Sequence, residues 1–231
     1  MISIIGRDSE ITLINTLLQQ KRNILVFGEE GVGKSAIIQR IVSDKDNRNI
    51  LYVQKNDTLR ETLIGIVTAS LQHTSGFENF NILVLKKKCY EIIDKAPDYI
   101  VLDHMGRVEP KHYVFLTYLL EKNIPLLVIS RGLNKKDIGH LRMSLYSFEN
   151  VEIANLDRLD SNNLIDYFIK EFGIKIVKTG EFKQAIFSHS KGNPKIIKLL
   201  CFLARDVKYQ KNDYIDVKLM DLDRRISEAV H

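Results

Sequence analysis

The sequence predicts an α/β fold, in which a parallel five-stranded sheet is flanked by helices and followed by a small all-helical part. Short apolar runs alternate with segments of helical periodicity over the N-terminal part of the chain, which is typical of parallel sheets covered by helices. After about residue 157 only helical patterns remain. A glycine-rich turn between the first strand and the next helix indicates where the chemistry is expected.

Composition limits the class of protein. The chain has 231 residues, of which 45% are hydrophobic and 27% charged, as in globular proteins with a sizeable core. The apolar runs are too short for a membrane span and the start lacks the features of a signal peptide, so we expect a cytoplasmic protein without a membrane partner. The formal net charge of +5 suits a nucleic-acid partner, but solvated lysine faces would explain it too. Cys89 and Cys201 lie in apolar helical patterns, so we expect buried reduced thiols.

Strands are predicted where short apolar runs are bounded by turn residues. The predicted strands are 23–28, 50–54, 98–103, 124–130 and 150–156.

Helices are predicted where apolar residues recur at spacings of three and four. Thr58 with Glu61 three residues later predicts a capping box, and Pro110 suits a first helical turn. The predicted helices are 34–43, 59–71, 79–94 and 110–121, followed by 161–172, 180–190, 194–204 and 214–230.

Residues 28–35, GEEGVGKS, match the pattern GxxxxGK[ST] of a phosphate-binding loop. A predicted strand precedes the match and a predicted helix follows it, as this motif requires. Glycines let backbone N–H groups curl around an anion, and a helix N-terminus favours negative charge. Lys34 can reach β- and γ-phosphates, and the Ser35 hydroxyl can bind Mg²⁺. The residues expected to hold the nucleotide here are Glu30, Gly31, Val32, Gly33, Lys34, Ser35 and Ala36.

Asp103 ends the strand 98–103 and is the candidate for the second half of a magnesium site, together with Ser35. The next residue is His104, where many hydrolysing enzymes of this kind place a glutamate that orients water. Three possibilities stay open: His104 acts as the base, Glu109 substitutes from the following loop, or hydrolysis is slow or waits for a partner.

Two further cations are candidate phosphate contacts. Arg131 follows the fourth predicted strand, where its charge would face the γ-phosphate. Lys195 follows Gly192-Asn193-Pro194 at the start of a helix and is expected to point back to the phosphates. For each, an ordinary solvated side chain is the alternative.

These motifs, with the GRxxE box at Ile5-Gly6-Arg7-Asp8-Ser9-Glu10, resemble the origin-recognition/STAND branch of the AAA+ P-loop ATPases. Walker A at 28–35, Walker B at 98–103, a sensor strand ending in Val-Ile-Ser-Arg131 and the GNPK segment follow the order of that family. The resemblance covers about residues 3–206. The sequence is similar also to the small transposition-regulator ATPases of mobile elements.

The resemblance implies a nucleotide-binding α/β core, residues 1–157, and a helical lid subdomain, residues 158–231, with Mg-ATP between them. Ile5 and Arg7 would lie beside the adenine, and Arg131 matches a sensor-1 arginine. Pro194 fits the GxP motif of STAND proteins, and Lys195 falls at the sensor-2 position. The expected catalytic residues are Lys34, Asp103, His104 and Arg131, and the expected magnesium residues are Ser35 and Asp103.

The implied function is that of an ATPase with slow or partner-stimulated hydrolysis. Its nucleotide-dependent assembly or conformational switch would serve a DNA transaction such as replication initiation, transposition or mobile-element maintenance. The alternative is a STAND-like signalling switch that binds a protein partner in its ATP state with little hydrolysis, and a scaffold without turnover is a third possibility. The partner could thus be double-stranded DNA, further copies of the chain or another protein.

Overall fold

The structure is a computed structural model that describes residues 4–43, 49–71, 76–211 and 213–230, and it contains two compact units. The sheet unit comprises Asp8–Glu29 and Lys34–Ile153. The helical unit comprises Glu30–Gly33, the residues from Ala154 onward and the residues up to Arg7. The segment 28–35 therefore begins and ends in the sheet unit, while its middle belongs to the helical unit. The functional division after residue 157 stays a prediction.

The sheet unit contains the predicted five-stranded parallel sheet. Every strand pairing is parallel, and the strand order from edge to edge is second, third, fourth, first, fifth. The carboxyl ends of the first and third strands thus lie at one edge, with only the fourth strand between them. The strands are β1 (Asn23–Phe27), β2 (Ile50–Val53), β3 (Tyr99–Leu102), β4 (Leu126–Ile129) and β5 (Phe148–Glu152).

Helices surround this sheet and make up the helical unit. The capping box is confirmed, because the Glu61 carboxylate accepts from the Thr58 N–H at 3.1 Å and the Glu61 N–H donates to the Thr58 hydroxyl at 3.2 Å. Pro110 occupies the first turn of its helix, as predicted. The sheet-unit helices are α1 (Asp8–Gln19), α2 (Lys34–Ser43), α3 (Leu59–Leu71), α4 (Ile82–Ile93), α5 (Pro110–Glu121) and α6 (Lys135–Ile138), followed by a 3₁₀ segment (Gly139–Ser147). Those of the helical unit are α7 (Arg158–Phe172), α8 (Thr179–Ser190), α9 (Pro194–Leu203) and α10 (Val217–Val230), with a 3₁₀ turn (Val207–Tyr209) after α9.

Three details differ from the sequence-based prediction. The helices α1 and α6 were not predicted. The fifth strand was predicted at 150–156 but runs over Phe148–Glu152, because its pairing with β1 begins at Phe148 and includes the polar residues Glu149 and Asn150. An outer strand pairs through its backbone whatever its side chains are. The apolar pattern therefore placed the start of β5 two residues too far along the chain.

Each unit has its own apolar core. Every residue of β3 and β4 is buried, since helices cover the strands. Cys89 lies in the core of the sheet unit and Cys201 in that of the helical unit; both are free thiols, and burial raises each pKa to about 12. Among the residues that the structure describes, no helix combines the length and apolarity needed to cross a bilayer.

A buried chain of polar side chains supports the ends of β2 and β3. The Asn56 amide donates to the backbone carbonyls of Val53 at 2.9 Å and Asp103 at 2.7 Å. The Thr62 hydroxyl lies 3.2 Å from Asn56 Oδ1 and 2.9 Å from His112 Nε2. The chain thus ties the last residues of both strands to α3 and α5. Burial lowers the pKa of His112 to about 4, against an ordinary 6.5, so this imidazole is neutral at neutral pH.

We expect His112 to make the fold sensitive to mild acid. Its pKa is lower in the folded than in the unfolded chain, so stability is fully present above about pH 6.5 and falls as the pH drops towards 4. Between about pH 7.5 and about pH 5.5 the wild type should lose about 1 kcal/mol relative to His112→Gln, which cannot titrate. Urea unfolding of both proteins at both pH values measures this difference, and an unchanged gap would contradict the assignment.

Candidate functional site

Positive backbone φ angles at three glycines shape the segment 28–35. Gly28, Gly31 and Gly33 have φ angles of 151°, 86° and 99°, which L-residues with side chains rarely adopt. A Cβ at Gly33 would meet nothing within 4 Å, whereas one at Gly31 would lie 2.6 Å from Asn193 Oδ1. Gly31 is therefore required by packing as well as by conformation.

The Lys34 side chain folds back over its own loop. Its ammonium donates to the backbone carbonyls of Gly28 and Glu29, each at 2.7 Å. The loop thus surrounds the lysine charge with oxygens, a coordination that phosphate oxygens could take over.

Asp103 and Ser35 are brought together as the sequence predicts. The Asp103 side chain is buried, and its Oδ1 accepts from the Ser35 hydroxyl at 2.9 Å and from the His104 N–H at 2.8 Å. The serine hydrogen points at the carboxylate, so the lone pairs of Ser35 Oγ remain for a cation. A hydroxyl oxygen beside a carboxylate is a donor set that suits Mg²⁺, and these residues therefore fit the metal.

Tyr52, which the sequence analysis did not select, completes the surroundings of Asp103. Its hydroxyl contacts Asp103 Oδ2. Burial, and then this hydrogen bond, raise the pKa of Tyr52, so the hydroxyl is protonated and donates. Both carboxylate oxygens are thus engaged by the protein.

His104 has an unusual backbone. Its φ is 54°, in the left-handed region where histidine is among the more tolerant residues. Its side chain is 72% exposed, with Nδ1 3.2 Å from Asp103 Oδ1. This arrangement leaves the imidazole accessible to solvent beside the carboxylate. Arg131 is also exposed and lies two residues after the end of β4.

The middle of the segment 28–35 is held by the helical unit. Three successive backbone carbonyls accept hydrogen bonds: Glu30 from the Asn193 amide at 2.8 Å, Gly31 from the Lys195 N–H at 3.1 Å and Val32 from the Arg7 guanidinium at 3.1 Å. The protein's own donors therefore satisfy the acceptors of this stretch.

The GNPK segment owes its position to Asn193. The side-chain oxygen of Asn193, Oδ1, caps α9. It accepts from the Lys195 N–H at 3.1 Å and from the Ile196 N–H at 3.4 Å. Pro194 follows in the first turn of α9, where its missing N–H costs nothing. The Lys195 ammonium lies 2.7 Å from Glu30 Oε1. One asparagine thus links the start of α9 to the loop.

The two residues expected beside the adenine are both partly or fully buried in the helical unit. Arg7 is 5% exposed and donates to the carbonyl of Ala154 at 2.6 Å as well as to Val32. Ile5 packs against the apolar core of the helical unit. Their role at the base stays a prediction.

Comparison with known proteins supports the fold. No protein-family profile and no curated protein matches the sequence. The Walker-type ATPase of Pyrococcus abyssi superposes with a TM-score of 0.66 at 12% identity, over 98% of this chain and 72% of that one. The Aeropyrum pernix ORC1 protein, solved in complex with DNA, gives 0.71 at 12% identity, over 99% and 68%. The replication initiator DnaA, bound to AMPPCP and single-stranded DNA, gives 0.60 at 16% identity, over 89% and 63%.

The fold is that of the AAA+ P-loop ATPases. These neighbours are 12–16% identical to the chain, so the likeness concerns the fold. The chain spans between about three fifths and three quarters of these neighbours.

Sequence reasoning missed the contacts of two residues at this site, and for different reasons. Asn193 had a readable signal, since asparagine before proline is a common helix start. Tyr52 had none, because its contact with Asp103 depends on β2 pairing with β3, and the sequence does not give the order of strands in a sheet.

We expect Asn193→Asp to separate helix capping from support of the loop. An aspartate keeps the capping acceptor but loses the N–H group that donates to Glu30, so the free energy of unfolding should fall by about 1–2 kcal/mol. Asn81→Asp is the matched control, because Asn81 caps α4 through a bond to the Val84 N–H only. That control should change stability by less than about 0.5 kcal/mol. Equal losses in the two variants by chemical unfolding would argue against the loop-supporting role.

Proposed function

We propose that this protein is a cytoplasmic AAA+ ATPase that binds Mg-ATP and uses it for a nucleotide-dependent assembly or conformational switch. The observation that carries the proposal is the hydrogen bond of 2.9 Å from the Ser35 hydroxyl to the buried Asp103 carboxylate, beside a loop with a lysine and three left-handed glycines. This combination of groups has a direct use in binding a triphosphate with its metal.

Each loop residue has a defined task in this proposal. Backbone N–H groups of residues 30–36 bind the phosphates. The Lys34 ammonium exchanges the carbonyls of Gly28 and Glu29 for β- and γ-phosphate oxygens. Ser35 and Asp103 hold Mg²⁺, which when bound neutralises charge that develops on the transferred phosphoryl group.

The remaining predicted residues act on the base and the γ-phosphate. Arg131 and Lys195 supply positive charge to the phosphates. Ile5 and Arg7 lie beside the adenine, and Pro194 also belongs to the nucleotide-binding residues. His104 stands where a water-orienting glutamate would be, and turnover is therefore slow or partner-stimulated.

We propose a DNA transaction as the process served, such as replication initiation, transposition or mobile-element maintenance. The net charge of +5 and the fold shared with ORC1 and DnaA, both solved with DNA, support this choice. Binding through phosphates would be sensitive to salt and weakly sequence-specific. The second candidate is a STAND-like switch read by a protein partner, and the exposed His104 in place of a glutamate favours it.

We expect ATP hydrolysis to depend on Lys34 and Asp103. Lys34→Ala and Asp103→Ala should each lower phosphate release by about 100-fold or more, since each removes charge stabilisation at the transferred group. Lys95→Ala, at an exposed lysine after α4, is the matched control and should leave the rate unchanged. The assay is run with and without double-stranded DNA over a range of salt concentrations.

The DNA arm of this assay decides between the two candidates. A DNA-stimulated rate that falls with salt and disappears in both variants would support the DNA-linked ATPase. ATP binding without any response to DNA would move the function to the protein-partner switch. Absence of ATP binding by the wild type would overturn the proposal.

We expect His104→Glu to speed the chemical step. A carboxylate at this position can orient water, so single-turnover hydrolysis should rise by about tenfold or more, although the left-handed backbone costs glutamate about 1 kcal/mol. Glutamine has the length of glutamate but no basic group, so His104→Gln is the matched control. A rate no faster than that of His104→Gln would count against the missing-glutamate explanation.

A further inference from the structure

The contact between Tyr52 and Asp103 has no place in the function proposed so far. Tyr52 lies near the carboxyl end of β2, where its backbone pairs with Val101 of β3. From there its half-buried ring brings the hydroxyl to Asp103 Oδ2, opposite the oxygen that accepts from Ser35 and from the His104 N–H.

A third group orients the tyrosine hydroxyl. The Gln39 amide on α2 donates to the Tyr52 oxygen at 3.3 Å. The Gln39 N–H occupies a lone pair of the Tyr52 oxygen. The phenolic hydrogen is directed to the Asp103 carboxylate, because a carboxylate can only accept. Two series of donors from α2 thus converge on Asp103: Gln39 donates to Tyr52, which donates to Oδ2, while Ser35 donates to Oδ1.

We propose that Tyr52 is a positioning residue for magnesium, acting through Asp103, an inference that rests on the proposed function. By holding Oδ2, Tyr52 prevents rotation of the carboxylate about its terminal bond and keeps Oδ1 directed at Ser35. Ser35 then donates its hydrogen to Asp103 and presents its lone pairs to the cation. Tyr52 itself contacts neither the nucleotide nor the metal.

The geometry explains why loss of the Tyr52 hydroxyl would weaken magnesium binding. Terminal carboxylate torsions are broad, so they are restrained mainly by hydrogen bonds. With Oδ2 unpartnered, a buried carboxylate gains by turning towards any other donor or cation. Ser35 would then lose its acceptor for part of the time, and its hydroxyl hydrogen would point at the metal instead.

The test separates positioning of the metal from support of the fold. Tyr52→Phe removes one oxygen atom and keeps the ring. The dissociation constant of a fluorescent ATP analogue is measured in excess Mg²⁺ and in EDTA for the wild type and the variant. The quantity compared is the ratio of the two constants, which reports the contribution of magnesium alone.

Tyr99→Phe is the matched control. The Tyr99 hydroxyl also makes a hydrogen bond inside the sheet unit, donating to the backbone carbonyl of Arg22 at 2.7 Å, but it lies at the start of β3. Its removal should lower thermal stability and leave the magnesium ratio unchanged. A role of Tyr52 in stability alone would give the same result.

We expect Tyr52→Phe to lower the magnesium-dependent gain in affinity by about three- to tenfold, corresponding to the loss of one hydrogen bond to a charged group. Binding in EDTA should stay within about twofold of the wild type. A ratio equal to that of the wild type and of Tyr99→Phe would overturn the inference while leaving the proposed function intact. Absence of ATP binding by the wild type would overturn both.

A second variant covers the case in which Tyr52→Phe does not fold. Gln39→Met keeps Tyr52 and removes the amide that orients its hydroxyl. It should lower the ratio of the two dissociation constants in the same direction by a smaller factor, and an unchanged ratio would contradict the orientation of Tyr52 by Gln39.

Discussion

The burial of the Asp103 carboxylate is the constraint on which the candidate site depends. A charge removed from water is costly unless hydrogen bonds replace its hydration. Here α2 contributes Ser35, β2 contributes Tyr52 and the turn after β3 contributes the His104 N–H. Both α2 and β2, which are far from Asp103 in the sequence, must therefore keep their register with it. The polar chain through Asn56 holds the backbone at Asp103.

The loop shows a complementary principle. Its middle carbonyls are satisfied by Asn193, Lys195 and Arg7, so the acceptors that would repel an anion are bound by donors. The same three residues belong to one compact unit with the middle of the loop. A change in how α9 begins would reach the Glu30 carbonyl through the Asn193 amide.

The sequence was sufficient for those features in which chemistry is local. The pattern around Lys34, the buried strands and the acidic residue after β3 follow from spacing and hydrophobicity, and the resemblance of the motifs to AAA+ ATPases implied the fold. The displaced β5 shows the limit of this reasoning, because pairing at an outer strand is set by the backbone. The helix α1 was also not predicted. Tyr52 shows a second limit: its contact with Asp103 depends on which strands are neighbours, a property that no local pattern contains.

The ion pair between Lys195 and Glu30 adds a small free-energy cost to the binding of an anion by Lys195. Both side chains are more than half exposed, at 60% and 57%, and such pairs contribute at most about 1 kcal/mol. On the proposed function, an incoming anion must displace Glu30 as the counterion of Lys195. A polyphosphate exceeds that small cost easily, whereas a weakly charged metabolite gains little over the carboxylate already present. Glu30 thus competes with an incoming anion for Lys195.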